Sequence, residues 1–225
     1  MSDVQLELAD IVTKLDKPFV ISFVNAHAVN LCHNDSEFLA AIMLSDLVLR
    51  DGSGMKLLYK LLGRDAGGNL NGTDFIPSLL QQSKDKKIAL LGSSDEVSQG
   101  AALKLTKLGN EVCLTANGFH DNDVYVEKIR NAEIDIVVLG MGMPKQEFIS
   151  LLIREKIEKP ILIINGGAIL DFMSGSIERA PKLLRLFGLE WVYRLLLEPK
   201  RLWRRYILGN ISFIVKGLKY VICKR

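Results

Sequence analysis

Several absences define this 225-residue sequence before any motif does. Its three cysteines, Cys32, Cys113 and Cys223, are odd in number, far apart and without CxxC spacing. That pattern excludes a disulfide framework and a cysteine zinc site, and it fits reduced thiols in a cytosolic protein. The sequons at Asn71 and Asn210 then carry no glycosylation signal. The opening stretch MSDVQLELADIVTKLDK has neither a basic n-region nor a continuous apolar h-region, so no secretory leader is expected in it. No run of about 18 uninterrupted apolar residues occurs, so a membrane-spanning helix is not expected. GxGxxG does not follow the first apolar run, and no Walker GxxxxGK[ST] is found, which argues against a dinucleotide oxidoreductase and a P-loop NTPase. Internal repeats and low-complexity tracts are lacking too.

What is there is enough apolar material for one substantial core, and a marked charge asymmetry. Residues 178–225 hold 12 Lys and Arg against 3 Asp and Glu, while residues 1–177 hold 17 against 23. A mildly acidic body with a basic tail points to an anionic partner for the tail, a membrane surface or nucleic acid.

Short β-branched runs alternate with helix-length segments. PFVISFV (18–24), DLVLR (46–50), KIALLG (87–92), EVCLT (111–115), DIVVLG (135–140) and PILIING (160–166) are the predicted strands, several of them apolar throughout, as strands covered on both faces must be. Helices are predicted over 35–45, 53–62, 74–83, 95–108, 122–132 and 144–156, with Asp95 and Asn122 as N-caps and Pro144 in a first turn. This alternation predicts an α/β, Rossmann-like, doubly wound and mainly parallel sheet. The division expected is a catalytic domain over 1–177 and a C-terminal helical, basic amphipathic appendage over 178–225.

Ligands of such sheets sit beyond the carboxyl ends of the strands. Asn25 and His27 follow the first strand, Asp51 the second, and Gly92 the third. Gly140, Gly142, Lys145, Gln146 and Glu147 follow the fifth, and Gly166, Gly167 and Asp171 the sixth. Asp51 reads either as a general base for a hydroxyl or as a cap in an Asx turn. His27 reads as a ligand contact or as a packed core histidine. The late glycines allow close backbone approach, and amides at a helix start favour phosphate. Lys145 offers phosphate a point charge and Gln146 can bridge a sugar edge; the alternative for both is an exposed first turn. Asp121-Asn122-Asp123 has the DxD spacing of some metal-dependent sugar transferases, yet it leads into a helix, and capping is the preferred reading. Neither a metal nor another cofactor is assigned.

Taken together, N25-A-H, D51-G-S-G, N71-G-T-D74, L91-G-S, G140-M-G-M-P-K-Q-E147, N165-G-G-A-I-L-D171-F and R179-A-P-K…G188-L-E-W-V-Y-R-L…E-P-K-R resemble the WecG/TagA/CpsF glycosyltransferase family. They cover nearly the whole chain in the family's order. The resemblance implies an inverting enzyme that moves a sugar from a UDP-sugar donor to a polyprenyl-diphosphate-linked sugar acceptor, for cell-surface polysaccharide or teichoic acid. The sugar implied is N-acetylmannosamine, N-acetylmannosaminuronic acid or another hexose. It implies Asp51 as base, Asn25 and Gln146 as positioning residues, and His27, Asn71, Asp74, Gly92, Gly140, Gly142, Lys145, Gly166, Gly167, Asp171, Arg179 and Arg194 as substrate contacts. The chain departs from the family pattern at Asn69, where an arginine is common, and at Phe23, where many members have threonine.

Read as a helix, Trp203, Ile207, Ile211, Ile214, Leu218 and Val221 form one apolar stripe, with Arg205, Ser212, Lys216 and Lys219 on another side. Such a helix suits an anionic membrane surface; the resemblance implies a protein of the cytoplasm, peripheral on the inner face of the bacterial plasma membrane. The alternative is a stripe packed on the domain or on a sister copy in a homo-oligomer. The aliphatic interleaving favours lipid over nucleic acid, so no nucleic-acid partner is expected. A non-catalytic, membrane-surface nucleotide-binding protein is the rival reading.

Overall fold

The computed structural model describes residues 14–223. Most of the stretch read as lacking a leader, and Lys224 and Arg225 of the basic tail, lie outside the described residues. Packing divides the chain into two compact units. One comprises the residues up to Phe23 with Ala40–Leu49 and Leu70–Ile177; the other comprises Val24–Leu39, Arg50–Asn69 and the residues from Glu178 onward.

The first unit is built on a parallel sheet. All six predicted strands are present among the described residues: β1 (Phe19–Val24), β2 (Leu47–Arg50), β3 (Lys87–Gly92), β4 (Glu111–Ala116), β5 (Ile136–Gly140) and β6 (Leu162–Asn165). Their order is β2-β1-β6-β5-β3-β4. The register runs Ile21 to Ile164, Val138 to Ile164, Leu90 to Val138 and Leu90 to Thr115. Side chains alternate across a strand, so each apolar strand feeds two cores. Ile88, Leu90, Ile136, Val138, Leu162 and Ile164 face Phe75, Leu79, Ala101 and Leu105 from helices Gly72–Gln82 and Asp95–Lys107. Ala89, Leu91, Val137, Leu139 and Ile163 face Tyr125, Ile129, Ile149 and Ile153 from helices Asn122–Arg130 and Lys145–Lys156. Each such aliphatic side chain contributes about 1.5–3 kcal/mol by leaving water.

Two helices start as expected, at Asp95 and Asn122, but with the N-cap one residue earlier. Ser94, not Asp95, is the N-cap of Asp95–Lys107: it is extended, and its Oγ accepts from the Val97 amide at 3.3 Å. Asp95 instead places its charge in the first turn, where the helix dipole favours an anion. Asp121 holds the cap position before Asn122, with no side-chain hydrogen bond to the helix start.

The second unit is helical. Ala26–Asn34, which sequence reading treated as a strand-end loop, packs with Ser53–Leu61 against the C-terminal helix. Asn30 donates to the Gly209 carbonyl at 2.7 Å, and Phe213 lies beside Gly54. Gly217 allows Leu58 to approach so closely that an added Cβ would lie 3.0 Å from it. The C-terminal helix runs continuously over Pro199–Cys223, with a wide π turn at Arg204–Leu208. At 25 residues it is long and apolar enough to cross a membrane by length and composition, because Lys216 and Lys219 interrupt the apolar run without ending the helix.

At the carboxyl edge of the sheet Gly92 pairs in register with Gly140. Gly92 has φ +141°, and a Cβ there would lie 2.4 Å from the Gly140 carbonyl carbon and oxygen. Backbone cannot yield as a flexible side chain does. Gly92→Ala is therefore expected to destabilise the protein by at least about 2 kcal/mol, measured by urea unfolding; a smaller effect would show that this edge tolerates separation of β3 and β5.

Candidate functional site

In the first unit the chain leaves β5 toward β6 on one side and leaves β3 toward β4 on the other, so the strand order reverses between β5 and β3. Crevices at such reversals, at the carboxyl edge, are where doubly wound sheets take ligands. The loops there carry most of the glycines singled out above. Gly142 (φ +80°) and Gly167 (φ +62°) have backbone that L side chains rarely adopt. Their amides do not point outward. Both donate to Oε1 of Gln146, at 3.1 and 2.9 Å. Gln146 in turn donates from Nε2 to Glu147 Oε1 at 2.8 Å, and both side chains are buried. The alternative of an exposed first turn thus fails for Gln146, which lies in a closed polar network. Two of the amides expected to face phosphate are committed to it.

Asp171 follows β6 and accepts from Ser93 Oγ at 3.0 Å, beside Gly92. Gly140 packs under Leu170, and Gly166 under Ile169, so closely that a Cβ at either would collide. Lys145 is committed as well. Its Nζ donates to the carbonyls of Gly118 at 2.8 Å and His120 at 3.1 Å and stands over the Tyr125 ring, which ties down the loop after β4. Asn71 and Asp74 meet each other: Asn71 Oδ1 caps helix Gly72–Gln82 through the Asp74 amide at 3.0 Å, and Asn71 Nδ2 donates to Asp74 Oδ2 at 2.9 Å.

The second unit gathers Asn25, His27 and Asp51. Asn25 Oδ1 caps helix Ala26–Asn34 by accepting from the amides of His27 and Ala28, at 3.0 and 3.1 Å. Its amide also hydrogen-bonds Asp51, whose own N–H donates to the Val24 carbonyl at 2.9 Å. Burial raises the Asp51 pKa and the charge of Glu190 adds to the rise; the Asn25 hydrogen bond, Arg205 and Arg50 work against it. The result is a carboxylate of raised basicity that is still held by one donor and two cations. Burial, with the charge of Arg205, lowers His27 from 6.5 to about 4, so its imidazole is neutral at pH 7. Arg179 pairs with Glu190 at 3.6 Å, and Arg194 is among the cations acting on Arg205.

Two participants escaped sequence reading, Arg205 and Glu190, and Glu147 was named at its strand end without a role. Arg205 was assigned to the polar side of a membrane helix, yet its charge acts on both Asp51 and His27. Glu190 and Glu147 sat in runs where a solvated glutamate is the ordinary case; the apolar neighbours Trp191 and Phe148 were the available signal. Among the described residues no three His, Cys, Asp or Glu side chains cluster as a metal site would. Asp123 of the DxD triplet pairs with Lys156 at 2.7 Å.

The sequence profile of the glycosyl transferase WecG/TagA/CpsF family matches residues 1–225. A relative from Bacillus spizizenii, N-acetylglucosaminyldiphosphoundecaprenol N-acetyl-beta-D-mannosaminyltransferase, is 31% identical over 186 residues, covering 80% of this chain and 71% of its own length. Proteins of the same name from Bacillus subtilis and Staphylococcus aureus are 29% and 26% identical, over 84% and 83% of this chain and 75% and 74% of their own lengths.

The neutral His27 has a consequence for stability. Above pH 6.5 it is uncharged whether folded or unfolded. Between 6.5 and about 4 only the unfolded chain gains the proton, so its contribution to stability is lost as pH falls through that window. His27→Gln does not titrate. Urea unfolding at a series of pH values should show the wild type losing stability relative to this variant on acidification; parallel curves would mean that His27 is protonated in the fold.

Proposed function

This chain belongs to the glycosyl transferase WecG/TagA/CpsF family, and from that membership we propose that it transfers an N-acetylmannosaminyl group to N-acetylglucosaminyl-diphosphoundecaprenol. The donor is a UDP-sugar and the linkage formed is β. Asp51 carries this reading: it is a carboxylate at the carboxyl end of a strand, raised in pKa by burial, and beside it stand an amide donor and a guanidinium.

In the reaction Asp51 accepts the proton of the acceptor hydroxyl as its oxygen attacks the anomeric carbon. The bond from that carbon to the donor diphosphate breaks, and UDP leaves with the electron pair. A raised pKa makes Asp51 a better proton acceptor, while Asn25, Arg205 and Arg50 work toward the charged form. Inversion requires in-line placement of donor and acceptor. Gln146 serves this indirectly, by joining the Gly142 and Gly167 loops. The loops after β3, β5 and β6 are the contacts proposed for UDP; His27, being neutral, contributes a hydrogen bond rather than a charge.

A lipid-linked acceptor lies in a membrane, and the C-terminal helix supplies the means to reach it. Leu202, Phe213 and Gly217 are buried on one side. Of the predicted stripe, Trp203, Ile207, Ile211, Ile214 and Leu218 are exposed on another, together with Val215 and Ile222, while Val221 is half-buried. A helix held along one side by protein lies in the interface rather than crossing it, with Arg204 and Lys219 available to anionic headgroups. The division proposed is a catalytic region over 1–177 and a tail over 178–225 that covers the active site and meets the inner face of the plasma membrane.

Asp51→Asn keeps shape and donor binding but removes proton acceptance. Turnover of UDP-N-acetylmannosamine on a short N-acetylglucosaminyl-diphospholipid should fall ~10²–10⁴-fold, with UDP affinity by calorimetry unchanged; near-wild-type turnover would remove Asp51 from the base role.

Replacing Ile207, Ile211, Ile214 and Leu218 together by Gln leaves the packed side intact. Binding to phosphatidylglycerol liposomes should weaken at least about tenfold, given the apolar area withdrawn from lipid, while turnover on a water-soluble acceptor analogue persists. Undiminished liposome binding would exclude this face as the membrane contact.

A further inference from the structure

The polar network beneath the glycine loops has one member with no role in the reaction above. Glu147 is fully buried, and burial pushes its carboxyl up to about 7. Oε1 accepts from Gln146, while Oε2 has no hydrogen-bond partner among the described residues. A buried carboxyl with an orphaned oxygen costs stability, and a protein that needed only packing here would be more stable with an apolar side chain.

The geometry gives the carboxyl a task. Gln146 Oε1 faces two backbone donors, the amides of Gly142 and Gly167, so only the oxygen end of its amide fits there and the NH2 end must point away. The acceptor waiting for that NH2 end is Glu147. Glu147 is also tied in through its own backbone. Its carbonyl accepts from Ser150 Oγ at 2.8 Å, and Ser150 Oγ accepts from Nδ2 of Asn165, the last residue of β6, at 3.1 Å. One helix start thus joins the loop after β5 to the loop after β6 at two levels.

We propose that Glu147 is a positioning residue: by holding the Gln146 amide in one orientation, it fixes the separation of the Gly142 and Gly167 loops at the spacing the donor diphosphate requires. This rests on the reading that those loops receive the donor. Because the free oxygen Oε2 takes the proton when the carboxyl is neutral, Oε1 accepts from Gln146 in either state, and the clamp holds across neutral pH.

The test compares Glu147→Gln, which keeps a carbonyl acceptor of the same reach, with Glu147→Met, which keeps the volume and removes the acceptor. Amide hydrogen exchange at Gly142 and Gly167 reads the clamp without any donor present. In the Met variant both amides should exchange roughly tenfold faster, the size of one net hydrogen bond. KM for UDP-N-acetylmannosamine should rise by a similar factor while the thermal midpoint stays level or rises. The Gln variant should retain protection and KM. A Met variant with both amides still protected and an unchanged KM would overturn the proposal, and so would equal damage in both variants. Should the Met variant not fold, the Gln variant decides: retained protection and KM support the clamp, and loss of either overturns it. Wild-type protein with protected amides but no transfer from UDP-N-acetylmannosamine would strike the proposed reaction and leave the clamp standing.

Discussion

The first unit rests on one constraint: its parallel sheet is covered on both faces. A strand so placed has no side on which to carry a polar side chain at low cost, so the chemistry is displaced to the ends of the strands. Asn165, Ser22 and Ser150 show the rule from its exception. They are buried polar residues beside the carboxyl edge, and they survive there by bonding one another, with Asn165 donating to Ser22 at 2.9 Å and to Ser150 at 3.1 Å. The glycines at the same edge follow from the same crowding. Where two covered strands end side by side and turn back beneath a helix, Leu170 and Ile169 occupy the room a side chain at 140 or 166 would need.

This constraint is why the strands were legible. KIALLG and DIVVLG are apolar at consecutive positions, which leaves period-2 and period-3.6 patterns behind and admits only a strand covered twice over or a buried helix; flanking turn residues decide between them. The helix Ala26–Asn34 was less legible because its apolar residues are few and its start is encoded in one side chain, Asn25, directly after a strand. Cap positions slipped by one at Ser94 and Asp121, since Ser-Ser-Asp and Asp-Asn-Asp offer adjacent residues of equal capping ability and only the backbone dihedrals choose. The C-terminal stripe was read correctly as a surface. Its packed side was less legible, because Leu202 and Phe213 stand among equally apolar exposed neighbours and Gly217 packs by lacking a side chain.

The candidate site was legible as a set of positions and not as a set of partners. Sequence places Gln146 and Lys145 at a helix start after a glycine turn, and that much is found. It does not say that Gln146 turns inward to the backbone of two loops, or that Lys145 spends its donors on carbonyls of the loop after β4. Those outcomes depend on which acceptors stand within reach across long sequence separations. Arg205 is the plainest case. In a segment with six other cations between Arg194 and Lys219 nothing local marks it out, and its influence on Asp51 and His27 exists only once the helix is folded.

Asn25 makes a different kind of link. Serine, threonine or aspartate would cap the Ala26–Asn34 helix about as well. None of them would do what the carboxamide does next. With Oδ1 occupied by two backbone N–H groups, the orientation of the amide is no longer a choice, and its other end must be a donor. The hydrogen-bond polarity of the helix start is thereby relayed through one planar group to the Asp51 carboxyl, which meets a donor and is favoured as an acceptor. The sign of a backbone terminus, set by nothing more than the direction of the chain, thus helps decide the resting protonation of a side chain 26 residues further along.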